Sequence, residues 1–414
     1  MLILITLLYL SYVKYASSNL KNDENRIFPV TWAVFLLLYC AAIPPLFSID
    51  LYEYVIRGRM QALYGLNPFW ITPEAVPEDP LYPVIFWKTV TTVYGPLWSA
   101  LSAAIVKLSS PNAFYNIAGF KLVSFILHLS SGAMIFLLAR KTDPERTKYI
   151  TFLYLFSPYL IFMNLIENHN DVLMVFLMLA AFYLLTEKRY ALSVTAIILS
   201  ASAKFISIIL LPLFLIHIHK SGLRLKDKIY LALKISAVNA VILYALFVPY
   251  GLNLGNISSS IHATQLRLDT NTFTYITYNL LSLFNPAIDI QRFCSFSNIT
   301  FALFCLGIYL FYLLRARVEK IDTLITVSLA VFIAYFLTAS FQFGNWYLSW
   351  IAPLILLSRF PKKNLFFILI TFAALVAFWK RVSFLLIGST AIYCVILCLP
   401  EKLKLPAFLR EIMD

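Results

Sequence analysis

Apolar segments long enough to form membrane-spanning helices recur from one end of this sequence to the other. Hydrophobic residues make up 61% of the chain and charged residues only 13%, whereas about a quarter of an average soluble domain is charged. We identify thirteen apolar windows: 2–17, 28–47, 113–139, 149–166, 170–186, 190–204, 205–219, 229–250, 297–314, 322–341, 346–358, 364–379 and 382–399. The pattern predicts an all-α polytopic membrane protein with about thirteen transmembrane helices.

Thirteen crossings place the N-terminus and the C-terminus on opposite sides of the membrane. Lys and Arg concentrate in the loops of one side, such as 140–148, and this enrichment marks the inner side. The segment 96–108 is apolar but too short to span, so we expect an interfacial or re-entrant helix there. We predict one transmembrane domain, residues 1–414, with two long outer loops, 48–112 and 251–297, of which the first carries interfacial helices.

The net charge of +13 does not by itself indicate a nucleic-acid-binding protein. The basic residues are dispersed over short loops, as expected for loops that face anionic lipid headgroups and the cytoplasm. The five Cys residues form no Cys-x-x-Cys pair and no Cys/His group at metal-ligand spacing, so we predict no structural zinc site. We therefore expect an integral protein of the cell membrane that binds lipid and no nucleic acid, with its functional face outside.

The polar interval that begins at Ser48 carries the first candidate site. Asp50 follows the second apolar window directly, at the boundary between lipid and water. If the chain continues as a helix, Tyr54 and Arg57 share a face with Asp50 at i+4 and i+7. A carboxylate beside a guanidinium group combines a potential general base with a potential phosphate ligand. The alternative is a carboxylate that only marks the end of a helix.

Two further polar clusters interrupt apolar windows. The run Glu167-Asn168-His169-Asn170-Asp171 crowds ionisable and amide side chains into one turn. It could bind substrate, His169 and Asp171 could ligate a metal, or the run could only cap the next helix. Lys204 and Lys121 each lie within or between apolar windows, where they could bind a lipid phosphate or extend to the headgroups.

The remaining candidates lie in or beside the later outer segments. Trp346 and Tyr347 stand at the start of a late apolar window, where aromatic residues are most often interface anchors, although such rings also stack on sugars. Arg267 and Asp269 in the second outer loop could close over a substrate or could only pair with each other. Spacing alone leaves these alternatives open.

Seven blocks follow one another in a fixed order along the chain. They are Ser48-Ile49-Asp50-Leu51-Tyr52-Glu53-Tyr54, Gly58-Arg59-Met60-Gln61-Ala62, Gly65-Leu66-Asn67-Pro68-Phe69, Thr92-Val93-Tyr94-Gly95-Pro96-Leu97, His169-Asn170-Asp171, Lys204 with Pro212, and Asn345-Trp346-Tyr347 with Pro353. In this order the blocks resemble the GT-C glycosyltransferases and most closely the polyprenyl-phosphate-mannose-dependent mannosyltransferases of prokaryotes. The resemblance implies a GT-C-like membrane fold and an inverting transfer with Asp50 as the catalytic base. It also implies a sugar donor that is attached to polyprenyl phosphate.

The residues and the resemblance together predict a hexosyltransferase that moves a hexose, with mannose favoured, to an outward-facing glycan or glycolipid. The predicted ligands of the donor phosphate are Arg57, Arg59, Lys121 and Lys204, and the predicted substrate-binding residues are Tyr54, Asn67, Tyr94, His169, Asn170, Asp171, Trp346 and Tyr347. Cationic side chains at a leaving phosphate could replace a metal, so we predict no cofactor and leave a divalent metal open. The rival functions are a transporter or flippase of lipid-linked sugars and a non-catalytic subunit of an envelope assembly.

Overall fold

The computed structural model describes residues 11–12, 14, 30–251, 272–314, 320–340, 344–360 and 362–376. The regular secondary structure of these residues is helical. The α-helices are α1 (Val30–Ala42), α2 (Asp50–Ala62), α3 (Pro96–Ser109), α4 (Ala113–Thr142), α5 (Thr147–Leu155), α6 (Pro158–Ile161), α7 (Asp171–Thr186), α8 (Tyr190–Ala203), α9 (Leu211–His219), α10 (Leu225–Phe247), α11 (Phe273–Phe284), α12 (Ile290–Leu314), α13 (Ile321–Thr338), α14 (Leu348–Leu357) and α15 (Lys363–Val376). The predicted all-α class is confirmed for the described part of the chain.

Four helical segments among the described residues are long and apolar enough to cross a membrane, namely Ala113–Thr142, Leu225–Tyr250, Ile290–Leu314 and Ile321–Thr338. A fifth crossing results if the bent pair Pro144–Leu155 and Pro158–Ile166 counts as one span. Other predicted windows form shorter helices. The 16 residues of α7, for example, extend about 24 Å, less than the ~30 Å of a bilayer core. The number of thirteen spans therefore stays a prediction.

Several predicted segments fall beyond the described residues. The window 382–399 lies outside them, as does most of the window 2–17. The same holds for residues 252–271 of the second outer loop, which include Arg267 and Asp269. The helix α12 begins at Ile290, within the predicted second outer loop, and the bounds of that loop stay a prediction. A polar start with Asp289 and Arg292 hid the first turns of α12 from the hydrophobic window.

The bend between α5 and α6 follows from Pro158. Proline has no backbone N–H to donate and disfavours a helical conformation at the preceding residue, so the chain turns by 42° at Ser157. The Ser157 hydroxyl caps the new helix by accepting a hydrogen bond from the N–H of Leu160 at 3.5 Å. The chain then passes through a π-helical turn, Phe162–Ile166, into the polar run 167–171. This bend directs the polar run towards α2.

The first loop folds around α2 and α3, which pack closely against each other. A Cβ atom at Gly58 would lie 2.7 Å from the carbonyl oxygen of Ser102, so only glycine permits this crossing. Buried apolar side chains, among them Leu51, Val55 and Trp98, join the two helices. The predicted short helix is present as α3, whereas its interfacial placement stays a prediction.

The largest apolar cluster surrounds α7 and α14. Every residue of α14 is buried, and this helix packs against α13, α15 and α7. The contact with α7 brings Trp346, Tyr347 and Trp350 beside the start of α7. Residues almost 180 positions apart in sequence thus meet at one polar turn.

Candidate active site

Asp50 is the first residue of α2, where its carboxylate lies at the positive end of the helix dipole. Its Oδ2 atom lies 3.2 Å from Nδ1 of His169. The Asp50 side chain is 17% exposed, whereas His169 is fully buried. Asp50 is therefore a carboxylate at the edge of the protein interior, and its predicted place at the boundary between lipid and water stays a prediction.

Glu167 fixes the segment that leads into Asp50. Its carboxylate accepts hydrogen bonds from the backbone N–H groups of Leu46 at 3.0 Å, Phe47 at 3.3 Å and Ser48 at 2.6 Å. The glutamate is fully buried. One carboxylate thus binds three consecutive amides directly before the candidate base, and hydrogen bonds to an ionised acceptor are stronger than neutral ones.

Lys121 also joins the segment before Asp50 to the turn that leads into the polar run 167–171. Its Nζ atom donates to the carbonyl oxygens of Ile43 at 2.7 Å, Leu165 at 2.9 Å and Ile166 at 2.6 Å. The last two carbonyls end the π-helical turn and lack partners in the helix. All three donors of the ammonium group are therefore used within the protein. The predicted role of Lys121 at the donor phosphate stays a prediction.

The polar run and Lys204 meet at the start of α7. Asn168 has a backbone φ of 61°, a left-handed conformation that asparagine tolerates better than most residues. The Nζ atom of Lys204 lies 2.6 Å from Oδ1 of Asp171, and the indole N–H of Trp350 donates to the same oxygen. No group of three or more His, Cys, Asp or Glu placed to hold a metal occurs in the described ranges. The prediction that no metal is required stays open to experiment.

Aromatic rings cover the cationic side of the cluster. The His169 ring stacks on Trp346 with ring centroids 4.3 Å apart. The ammonium group of Lys204 lies 4.8 Å from the ring centroid of Tyr347 and 5.0 Å from that of Trp350. A cation at these distances from an aromatic face is attracted by the ring quadrupole. The predicted residues Trp346 and Tyr347 thus adjoin the predicted residues His169 and Lys204.

Several buried polar atoms in the run 168–171 have no hydrogen-bond partner among the described residues. They are both polar side-chain atoms of the Asn168 amide, both ring nitrogens of His169 (Nδ1 has only its 3.2 Å contact with Asp50), Nδ2 of Asn170 and Oδ2 of Asp171. Buried polar atoms are nearly always hydrogen-bonded in folded proteins, so a concentration of exceptions requires an explanation. Buried water molecules or a bound polar ligand would supply the missing partners.

Tyr54 and Tyr94 form the aromatic wall nearest Asp50. The Tyr54 hydroxyl lies 3.4 Å from both the Oδ1 atom and the backbone N–H of Asn170. The rings of Tyr54 and Tyr94 meet edge to face with centroids 4.9 Å apart. Burial, assisted by the negative charge of Asp50, raises the pKa of both phenols well above the ordinary value. Both tyrosines are therefore neutral at physiological pH and can donate hydrogen bonds.

The environment of Asp50 keeps its carboxyl group ionised. Burial alone would raise the pKa of this group, but the contact with His169 and the positive charges of Lys204 and Arg57 together outweigh that effect. The pKa of Asp50 consequently lies below its ordinary value. At neutral pH the side chain is a carboxylate that can accept a proton.

Gly95 permits the segment before α3 to touch the end of α8. Its backbone N–H donates to the carbonyl oxygen of Ala203 at 3.1 Å. A Cβ atom at position 95 would lie 2.0 Å from the carbonyl oxygen of Ser202, closer than van der Waals contact allows. The contact fixes Tyr94 beside the segment that carries Lys204.

We expect Gly95→Ala to lower the free energy of unfolding by about 1–3 kcal/mol, because the backbone of one segment must move away from the other. Thermal unfolding of the purified protein measures the effect. Gly307→Ala is the control, because a Cβ atom at position 307 has no neighbour within 4 Å. Equal unfolding temperatures for the two variants would contradict this account of Gly95.

Arg57 binds protein groups in the first loop. It forms an ion pair with Glu53 and donates to the carbonyl oxygen of Val90 at 3.0 Å. Glu53 in turn accepts from the backbone N–H groups of Phe86 at 2.9 Å and Trp87 at 2.7 Å. The pair holds the segment 86–90 against α2. The predicted phosphate-binding role of Arg57 is not tested by this arrangement.

Arg59 and Asn67 also bind protein groups. The Nε atom of Arg59 lies 2.7 Å from Oδ2 of Asp79, and a terminal nitrogen donates to Oδ1 of Asn116 at 2.8 Å. The Asn67 amide donates to the carbonyl oxygen of Tyr250 at 2.9 Å, which links the first loop to the short 3₁₀ helix Val248–Tyr250 that follows α10. The predicted roles of Arg59 at the donor phosphate and of Asn67 in substrate binding stay predictions.

Three residues outside the predicted set contribute to the site. Glu167 belongs to a run that the sequence singled out, but nothing in the spacing showed that it binds amides some 120 positions away. Glu53 stands at i−4 from Arg57, a spacing that predicts an ion pair on a helix. Trp350 gave no signal, because a tryptophan inside an apolar window is indistinguishable from a core residue.

The sequence model of the family described as "Alpha-(1->6)-mannopyranosyltransferase, N-terminal domain" matches residues 1–220, slightly more than half of the chain. The protein "Alpha-(1->6)-mannopyranosyltransferase A" of Corynebacterium glutamicum is 27% identical over 183 residues. That alignment covers 42% of this chain and 36% of the relative, so the match spans about a third of the relative's length. The family match includes Asp50, the polar run 167–171 and Lys204.

Proposed function

The chain belongs to the family described as "Alpha-(1->6)-mannopyranosyltransferase, N-terminal domain", and on this basis we propose that it is a membrane-bound mannosyltransferase. In this proposal, mannose passes from a polyprenyl-phosphate donor to an outward-facing glycan or lipid acceptor, with Asp50 as the general base. The observation that supports it most is the position of Asp50, a partly exposed carboxylate 3.2 Å from His169 at the edge of a buried polar cluster. The apolar helices are consistent with a membrane protein.

The proposed reaction is a single displacement at C1 of the sugar. The acceptor oxygen forms a bond to C1 while the bond from C1 to the phosphate oxygen breaks, and its electron pair leaves with the polyprenyl phosphate. Asp50 accepts the proton of the acceptor hydroxyl, so its carboxylate has to be ionised beforehand. Attack from the face opposite the leaving group inverts the configuration at C1.

Lys204 is the group that we assign first to the leaving phosphate. One donor of its ammonium group is directed at Asp171, which leaves two donors for a ligand. Its side chain is 17% exposed, so a ligand can reach it, yet the surrounding rings exclude much of the water. A preorganised cation in such a site stabilises the charge that develops on the phosphate.

The run 168–171 is assigned to the sugar. Its buried amide and carboxylate atoms without partners could donate to and accept from hydroxyl groups, as a hexose requires. Tyr54 and Tyr94 would add neutral donors between this run and Asp50. A sugar held there would present C1 between Asp50 and Lys204.

The proposal is tested by offering the purified protein two labelled donors, polyprenyl-phosphate mannose and a nucleotide-linked mannose, with a membrane extract as the source of acceptor. We expect labelled glycan or glycolipid only from the polyprenyl-phosphate donor, at a rate that a chelator does not change. Product from the nucleotide donor alone would contradict the proposal. Movement of the lipid-linked sugar across vesicles without a glycosidic product would favour the flippase.

The low pKa of Asp50 predicts the acid limit of activity. Because the pKa is lowered, the carboxylate stays charged at neutral pH, and kcat/KM should fall only when the pH drops below about 4, the ordinary value for aspartate. His169→Ala removes the contact that lowers this pKa most, so its acid limit should move to higher pH. The pH dependence of kcat/KM for the two proteins measures this. Identical acid limits would show that His169 does not set the ionisation of Asp50.

A further inference from the structure

A polar cavity lies at the end of α4 that is remote from Asp50. It has a volume of about 320 Å³ and lies where α4, α13, α14 and α15 come together. Thr142, Arg146, Arg359 and Lys363 are among its lining residues. From Lys121, near the first site, to Thr142 the helix rises about 32 Å, so this cavity and the Asp50 site are separated along α4 by about the thickness of a bilayer core.

The cations of this cavity outnumber its carboxylates. Nε of Arg359 lies 2.8 Å from Oδ2 of Asp322, and Nζ of Lys363 lies 3.1 Å from Oδ2 of Asp143. Each of these cations is therefore offset by one carboxylate. Arg146 also lines the cavity, and its guanidinium group has no carboxylate or hydrogen-bond partner within the described ranges. The cavity therefore carries a net positive charge that attracts an anion.

Asn364 adds a buried polar group to the cavity wall. Its side chain is only 3% exposed, and its Oδ1 atom has no hydrogen-bond partner in the part of the chain that the structure describes. An amide can turn to present either its oxygen or its NH₂ group. Asn364 is the second residue of α15, and the N-terminus of a helix of 14 residues contributes further positive potential.

We propose that this cavity binds a phosphate group, either the headgroup phosphate of an anionic lipid or a free phosphate anion. Arg146 would bind two phosphate oxygens through its planar guanidinium group, with Lys363 and Asn364 completing the contacts. The volume fits a phosphate with its ester substituents. The inference is independent of the proposed sugar transfer, because it uses none of the residues around Asp50.

The test measures phosphate binding to the purified full-length chain. One arm incubates the protein in mixed micelles of phosphatidylglycerol and phosphatidylcholine and counts retained lipid by native mass spectrometry. The other arm titrates inorganic phosphate in micelles of phosphatidylcholine alone and follows thermal unfolding. The variants are Arg146→Gln, Arg146→Lys and, as matched control, Arg140→Gln. Arg140 is an exposed arginine at the same end of α4 and is not among the residues that line the cavity.

We expect retention of phosphatidylglycerol or stabilisation by inorganic phosphate, with the affinity of Arg146→Gln reduced roughly tenfold. Arg146→Lys should lose less, and Arg140→Gln should stay within about twofold of the wild type. Retention of phosphatidylglycerol without stabilisation by inorganic phosphate identifies the lipid headgroup as the ligand. Stabilisation by inorganic phosphate without retention of phosphatidylglycerol identifies the free anion. If neither ligand binds, or if Arg146→Gln and Arg140→Gln behave alike, the proposal is overturned. If Arg146→Gln does not fold, the proposal is tested by comparing the phosphate affinity of Arg146→Lys with that of Arg140→Gln, and equal affinities overturn it.

Discussion

Replacing Asp50 by Asn should lower kcat for mannose transfer by roughly 10²–10⁴-fold, the contribution of a positioned general base. Asparagine has the shape of aspartate, and its amide can still contact His169, but it cannot accept the proton of an acceptor hydroxyl. The side chain lies at the edge of the interior with 17% exposure. The substitution should therefore remove chemistry and leave folding intact.

The matched control for Asp50→Asn is Glu74→Gln. Glu74 is an exposed acid in the same loop, and its substitution also exchanges a carboxylate for an amide. We expect this variant to transfer mannose at the wild-type rate. Single-turnover transfer from labelled donor gives the rates, and thermal unfolding verifies the fold of each variant. Full activity of Asp50→Asn would remove Asp50 from the mechanism.

Glu167→Gln should reduce kcat by roughly 10²-fold, although Glu167 touches no substrate in the proposed mechanism. The carboxylate binds the amides of Leu46, Phe47 and Ser48, and a glutamine would direct its own NH₂ group at one or more of them. The segment would then move relative to the polar run. A displacement of about 1 Å of a catalytic group is enough for a loss of this size.

A double-mutant cycle distinguishes this positioning role from a general effect on stability. If Glu167 acts through Asp50, Glu167→Gln should have little further effect on the residual rate of Asp50→Asn. Glu187→Gln serves as the control, because Glu187 is an exposed glutamate in an ion pair with Lys141. Losses that multiply in the double variant would show that Glu167 does not act through Asp50.

The sequence predicted the helices well because their signal is local. Each apolar window from 113–139 to 364–379 corresponds to a helix or a bent pair, and α2 continues beyond Asp50 as the shared face with Tyr54 and Arg57 required. The number of spans was harder to predict from the windows. Proline at position 158 and the polar run after Ile166 divide apolar stretches into helices shorter than a bilayer, and a hydrophobic window does not register such breaks.

The sequence named the residues of the candidate site but did not predict the contacts between them. Asp50, His169, Asp171 and Lys204 were all candidates, and the structure brings them together. What no spacing could supply is the hydrogen bond from Trp350 to Asp171, which joins residues 179 positions apart. Such contacts depend on how helices pack, and helix packing depends on the whole chain at once.

The arginines illustrate the same limit. The sequence predicted that Arg57 and Arg59 bind the donor phosphate, because their cationic side chains lie close to Asp50 in the chain and attract a phosphate anion. In the structure Glu53 binds Arg57 and Asp79 binds Arg59, and both ion pairs are buried. A buried guanidinium group needs a partner wherever it lies, so its presence in a loop indicates structure as readily as binding.

The most direct test of the account is the anomeric configuration of the product formed by the purified protein from polyprenyl-phosphate mannose of known configuration. Nuclear magnetic resonance of the product reports the configuration at C1. A single displacement with Asp50 as base predicts a glycosidic product whose configuration at C1 is opposite to that of the donor. A product with the configuration of the donor, or no glycosidic product from this donor, would contradict the account.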